Sequence, residues 1–304
     1  MPATLIPTAD PIVIVSAART PLGGFQGSLA SLTAPQLGAQ AIAAALTRSG
    51  LPPEAIDEVL MGCVLPAGLG QAPARQASLG AGLPLSTGCT TISKVCGSGM
   101  KAIMLGHDLL LAGSAQAVVV GGMESMSNAP YLLPKARSGQ RLGHGQMIDH
   151  MFFDGLEDHY SAATRGRLMG TFAEDCARHY GFTREAQDAY AVTSTTRAQA
   201  ALRDGHFEWE TTPVTVAGRK GDVVVDTDEQ PGNAMPEKIP TLKPAFSKDG
   251  TITAANSSSI SDGASALVLM LESEARARGL SPLARIVAHA TQSQHPSEFT
   301  IAPV

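Results

Sequence analysis

At 304 residues, with 44% apolar and 16% charged side chains, the chain can bury a sizeable core as one large domain or two ordinary ones. A net charge of −5 leaves no basic footprint for nucleic acid, and no apolar run approaches the roughly 20 residues that span a bilayer. The opening MPATLIPTADP lacks a charged start followed by an apolar core, so no secretory signal is expected and a reducing cytoplasm is the expected setting for the cysteines.

Pro11–Ser16 reads as a buried first strand, followed by 19–25 as loop. Thr33 can cap a helix running to Ser49, with Gly50 as its stop. A strand over 58–65 and a helix over 72–79 follow, and then a β-branched run that ends at Cys96. Glycines follow that cysteine at once, and Met100, Ile103, Met104, Leu110 and Leu111 recur at helical spacing until Gly113. A strand is therefore expected to turn sharply into a helix at Cys96. Residues 117–122 form another near-continuous apolar strand. Strands bare of polar residues, alternating with helices, predict βαβ units and parallel strands in a sheet covered on both faces.

From Met126 to about Ile260 the chain is richer in charge and lacks that alternation. Helices are expected over 166–180 and 183–204, a hairpin over 215–225, and a loop over 228–233. An insertion this long is a candidate substrate-binding lid. The core returns with a strand over 264–271, a helix over 272–278 and a strand over 283–290.

Cysteines stand at 63, 89, 96 and 176 without a C-x-x-C pair. The histidines do not sit at metal-ligand spacing around them, so no metal is expected. Cys63, Cys89 and Cys176 read as packing residues. Cys96 leaves two readings open. It is either a small side chain packed at an elbow, or a nucleophile held at the positive end of a helix, where a thiolate is favoured.

The wording of three stretches bears on that choice. VCGSGMKA at 95–102, GGMESMS at 121–127 and TAANSSSISDGAS at 253–265 resemble, in that order, the motifs of the thiolases, the acetyl-CoA C-acetyltransferase family. The likeness runs with few gaps from Ile12 to Val304. It implies an α/β fold, a thiolase-like layered sandwich. Its N-terminal core half would occupy 1–127 and 260–282, an inserted lid or CoA-binding loop domain 128–259, and the start of a C-terminal half 283–304. The resemblance further implies that Cys96 is the nucleophile carrying the acyl group. It places Ser258 at the pantetheine arm of CoA, Met169 and Phe246 along the acyl and pantetheine tunnel, and Gln71 close to the CoA region. The implied reaction moves an acetyl group between CoA thioesters, making acetoacetyl-CoA or cleaving a 3-oxoacyl-CoA. Coenzyme A would be a substrate, with no separate cofactor. The expected partners are acyl-CoA and a second copy of the chain in a homodimer or homotetramer, since 146–150 resembles the segment that joins dimers.

Some positions depart from the family pattern. Leu168 stands where many members have histidine, and Gly232 stands where many have an arginine that approaches the adenine end of CoA. Three further family motifs, Asn-Glu-Ala-Phe, Gly-His-Pro and Cys-x-Gly-Gly-Gly, do not occur in the 304 residues; His295-Pro296 lacks the preceding glycine and reads as surface. The expectation is a C-terminally truncated copy, its second half mostly absent, with impaired carbon–carbon bond turnover. A catalytically impaired acyl-CoA-binding or assembly subunit is the alternative, and a condensing enzyme working on a carrier protein is a weaker third.

Overall fold

The computed structural model describes residues 10–304; Met1–Ala9, most of the stretch read for a secretory signal, lie outside them. The elements are, in chain order, β1 (Ile12–Arg19), β2 (Gly23–Gly24), α1 (Ala34–Ser49), β3 (Glu58–Gly62), α2 (Pro73–Gly80), β4 (Gly88–Ile92), α3 (Ser98–Leu111) and β5 (Ala117–Ser125). There follow β6 (Tyr131–Leu132), β7 (Ile148–Asp149), a π-helical turn (Met151–Leu156), α4 (Met169–Tyr180), α5 (Arg184–Arg203), β8 (Val214–Val216) and β9 (Val223–Val225). The last elements are α6 (Glu229–Asn233), β10 (Ser261–Leu271), α7 (Glu272–Ala277) and β11 (Ala284–Arg285).

Local chemistry sets most of these boundaries. At the start of α1 the Thr33 N–H donates to Gln36 Oε1 at 2.8 Å, and Gly50 ends the helix at φ +69°. At the start of α5 the Thr183 hydroxyl accepts from the Ala186 N–H. The 228–233 stretch, expected as loop, contains α6 instead. Pro231 is admitted there because the first turn of a helix has no intrahelical use for its missing N–H. The strand expected over 283–290 is only the two-residue β11, paired with β1 at Val13 and Ile14. His295 is exposed and precedes a 3₁₀ turn at Pro296–Ile301.

Two compact units result. The first holds the residues up to Asn128, with His206–Glu229 and Ser261–Ala290. Its sheet has the strand order β11-β1-β10-β5-β3-β4, with β2 paired to β10. β3 runs parallel to β4 and β5, but β10 is antiparallel to β1, β2 and β5. The sheet is thus mixed rather than parallel throughout. Apolar strands report burial on both faces and carry no signal of strand direction.

Both faces are covered. On one, Val119 and Met123 of β5 and Val268 and Met270 of β10 pack with Leu37, Ile42 and Ala77 of α1 and α2. On the other, Val118, Val120 and Leu269 pack with Ala102 and Leu110 of α3. The period-2 alternation of β5 and β10 feeds two cores from two central strands. Each fully buried valine or leucine contributes about 1.5–3 kcal/mol.

The stretch 128–259, expected as one inserted body, is divided: 206–229 packs with the first unit. The cause is a set of charged contacts reaching back from β1 and α1. Arg19 pairs with Glu210 at 2.6 Å and takes Asp228 through both terminal nitrogens at 2.7 and 3.0 Å. Arg48 donates to the carbonyls of Glu210 and Thr211 at 2.8 and 2.7 Å. Bidentate guanidinium–carboxylate pairs of this kind fix orientation as well as position.

The second unit holds Ala129–Gly205, Gln230–Ile260 and Thr291–Val304. Its interior is organised by buried carboxylates. Glu174 accepts from the backbone N–H groups of Thr251 and Ile252, and Asp188 from Arg184 and the Asn256 amide. Phe172 is fully buried, edge-on to Phe299.

Candidate active site around Cys96

β4 ends at Ile92, so the strand does not run into Cys96; residues 93–97 intervene as a tight elbow before α3. Val95 carries the turn at φ +47°, a left-handed conformation that is a genuine outlier for a β-branched side chain. Such a residue costs of order 1–3 kcal/mol and persists only where its surroundings over-determine it. Ser98 supplies that restraint. Its hydroxyl donates to the Val95 carbonyl at 2.6 Å and accepts the Lys94 N–H at 2.8 Å. The Gly97 N–H donates to the Lys94 carbonyl at 3.1 Å. Cys96 is thereby held exposed at the mouth of α3, whose positive end has no side-chain cap bond.

The start of α3 lies directly on the ends of β3 and β5. A Cβ placed on Gly62 would stand 2.6 Å from the Gly99 nitrogen and 2.6 Å from the Ser98 carbonyl carbon. Only glycine at 62 permits this approach, because both neighbours are backbone and cannot swing away.

Cys96 opens onto a pocket of about 420 Å³ in the first unit, whose wall includes Arg19, Gly62, Gly122, Glu124 and Ser265. The charged groups there are engaged. Arg19 is held by Glu210 and Asp228, and Glu124 accepts from the N–H groups of Val64 and Leu65 at 2.8 and 3.2 Å. Cys63, buried 3.7 Å from Glu124, is kept protonated: burial, and then the neighbouring carboxylate, push its thiol up to about 12. Cys89 and Cys176 are half-buried. Of the four thiols, Cys96 alone combines exposure with a pocket.

The other residues singled out by resemblance fall in both units. Gln71 is exposed in the first, its carbonyl accepting the Gln76 side-chain amide at 2.7 Å. Met169, Phe246 and Ser258 belong to the second. Phe246 lies against Gly170, where a Cβ would collide with its ring, so it sits beside Met169 at the start of α4. Ser258 is exposed on the loop after Asn256. That loop is fixed from inside, by the Thr253 N–H donating to Asn256 Oδ1 at 2.7 Å and the Ser257 hydroxyl to the Thr253 carbonyl at 2.7 Å.

Sequence reasoning missed Val95, Ser98, Gly62 and Glu124. Ser98 stands inside a quoted motif and carries a legible signal, a hydroxyl just past a turn. Glu124 also stands inside a quoted motif, but its partners Val64 and Leu65 are remote in sequence, and Gly62 carries no signal at all. The acidic pair Asp228-Glu229 was also missed as an anchor. Asp228 accepts the Leu22 N–H, and Glu229 accepts the N–H groups of Gly24 and Ser28, which draws its carboxyl below the usual range.

Residues 12–273 match the model of the thiolase N-terminal domain. The acetyl-CoA acetyltransferase of Cupriavidus necator is 50% identical over 296 residues, and that of Pseudomonas aeruginosa 48% over 295; each match covers 96% of this chain and 74% of the relative. The crystal structure of the Acat5 thiolase from Ascaris suum in complex with coenzyme A superposes with a TM-score of 0.89 at 43% identity, over 96% of this chain and 74% of that one. A strained cysteine elbow, a mixed sheet between helices and these matches converge, and the chain belongs to the thiolase family.

Proposed function

We propose that the chain is an acyltransferase of the acetyl-CoA C-acetyltransferase type, with Cys96 carrying the acyl group. The observation that bears the most weight is the exposure of Cys96 at a restrained elbow over a pocket, while Cys63 is buried and kept protonated. In the first half-reaction the Cys96 thiolate adds to the carbonyl carbon of an acyl-CoA. The new carbon–sulfur bond forms, the bond to CoA breaks, and CoA departs with the electron pair and takes up a proton. Sulfur replaces sulfur, so the acyl-enzyme lies close in energy to the acyl-CoA and loading is reversible. Near-50% identity to curated acetyl-CoA acetyltransferases favours this over a catalytically silent binding subunit. The test is incubation with acetyl-CoA followed by peptide mapping. The acetyl group should reside on Cys96; its location on Cys89 or Cys176 would overturn the assignment.

Coenzyme A is a substrate in this reading, and no separate cofactor is invoked. Ser258 is proposed to bond its pantetheine arm, Met169 and Phe246 to line the acyl and pantetheine tunnel, and Gln71 to lie close to the CoA region, as the family resemblance implies. Gly232 has nothing within 4 Å of where a Cβ would stand. Gly232→Arg should therefore fold, and should place a cation where many relatives of the family carry one. Calorimetry should find CoA bound several-fold more tightly, the effect of about 1 kcal/mol from one exposed charge, with pantetheine binding unchanged. Equal gains for both ligands would remove the adenine-end assignment.

The described residues contain no helix long and apolar enough to cross a membrane. A cytoplasmic homodimer or homotetramer is proposed, with the exposed stretch around Met147 at the contact between dimers. Light scattering reads the mass directly, and a folded monomer would remove this part of the proposal.

A further inference from the structure

α3 begins at the Cys96 elbow and carries His107 and Asp108 in its last turns. His107 lies nine residues beyond Ser98, or about 14 Å along the helix, well away from the elbow. His289, in the stretch after β11, meets them there within the first unit. Its Nε2 is 3.2 Å from His107 Nδ1 and 3.0 Å from Asp108 Oδ1, and His107 Nδ1 is 3.1 Å from Asp108 Oδ1. Three atoms with lone pairs thus stand at the corners of a nearly equilateral triangle.

Hydrogen bonding can hold this triangle only through the carboxylate, with both imidazoles donating to Asp108 Oδ1 and the two nitrogens left 3.2 Å apart with no bond required between them. Each imidazole nitrogen faces two partners but carries at most one N–H, and the carboxylate carries none when ionised. A cation seated just off the plane of the triangle accepts a lone pair from all three corners at once. Metals bound to imidazole and carboxylate at about 2.0–2.2 Å hold adjacent ligand atoms about 3.0–3.5 Å apart, from octahedral to tetrahedral geometry. The observed sides of 3.0, 3.1 and 3.2 Å fall in that range. The rings stand edge to face at 89°, so their planes do not obstruct one another. Asp108 is half exposed, which leaves an outer face where water can complete the coordination shell.

We propose that His107 Nδ1, Asp108 Oδ1 and His289 Nε2 form a binding site for a first-row divalent transition metal of the zinc, cobalt or nickel kind. Two imidazoles and one carboxylate suit these ions better than calcium or magnesium, which prefer all-oxygen shells. The site is separate from acyl transfer. Its effect is to fasten the stretch after β11 onto the nucleophile-bearing helix, and so to stabilise the folded chain in proportion to metal occupancy. Sequence spacing could not reveal it, because His289 is 181 residues from Asp108.

The test uses the full untagged chain with its cysteines capped, titrated with cobalt(II) by visible ligand-field absorption and with zinc(II) by calorimetry. One equivalent should saturate the protein, and saturating zinc should raise its melting temperature. His107→Gln and His289→Gln should each weaken binding by at least about tenfold, a loss that outer-shell partners of metal sites already produce, and should abolish the thermal shift. Asp108→Asn, at the most exposed member, tests the same site in a variant that keeps the helix surface intact. No binding at millimolar free metal would overturn the proposal. So would undiminished affinity in the folded Asp108→Asn protein or in both histidine variants.

Discussion

Cys96→Ala should abolish acyl transfer while leaving the fold untouched. The side chain is exposed and the elbow is built from other groups, namely the Ser98 hydroxyl and the backbone of Lys94 and Val95. Removing the sulfur therefore costs no buried contact, and the melting temperature should stay within experimental error of the parent. In the proposed mechanism the chemistry depends on that atom entirely. Without a nucleophile the acyl-enzyme cannot form, and direct attack of one substrate on another lacks the covalent route that splits a difficult step into two easier ones. In acetoacetyl-CoA thiolysis the expected loss is on the order of 10⁴-fold or more, as for removal of a nucleophile in other covalent enzymes. Intact-protein mass after exposure to acetyl-CoA should increase by one acetyl group in the parent and not in the variant. A variant that still gains the acetyl group would move the nucleophile elsewhere and end the mechanism proposed above.

Gly62→Ala should damage stability and chemistry together, although the change adds one methyl group. That methyl would lie 2.6 Å from backbone atoms of Ser98 and Gly99 and 2.7 Å from the Ser98 Cβ. No rotamer relieves the clash, so either the end of β3 or the start of α3 must shift. The end of β3 is fixed by its register with β4 and β5, where Gly62 pairs with Ile92 and Gly122. The helix start is the softer partner, and it carries Ser98, the residue that restrains Val95 and hence Cys96. Overpacking of this kind costs about 1–3 kcal/mol, read as a drop of several degrees in melting temperature. Misplacing a reacting group by about 1 Å can cost about 10²-fold in rate, so acylation of Cys96 should slow by roughly that factor. Unchanged acylation in Gly62→Ala would show that the contact between β3 and α3 does not position the nucleophile.

Much of the first unit was legible in the sequence. Thr33 and Gly50 bound α1 because capping needs only residues three or four apart. β5 and β10 were visible because a strand buried on both faces must be apolar throughout. Cys96 was reached through the words around it. The outlines of α4 and α5 were also legible. Where expectation and structure part, the reason is range. Strand direction depends on how the chain returns, so the antiparallel placement of β10 between β1 and β5 was invisible locally. By its charge content the segment 206–229 resembles the rest of the insertion, yet Arg19 and Arg48 hold it to the core across 160 residues or more.

The sequence by itself determined the family, the position of the candidate thiol, and the helices and strands whose signals lie within a few residues. Those features are local: a cap, a period, a run of apolar side chains, a cysteine followed by glycines. The tertiary structure alone decided the rest. It showed that Gly62 is small because a helix start rests on it, that Glu124 is spent on the N–H groups of Val64 and Leu65, and that Ser98 holds Val95 in a strained turn. It also brought His107 and Asp108 of α3 to His289. Each of these is a contact between atoms rather than a preference of residues. Except within the elbow, the partners are tens to hundreds of positions apart, so only the closed chain brings them into reach.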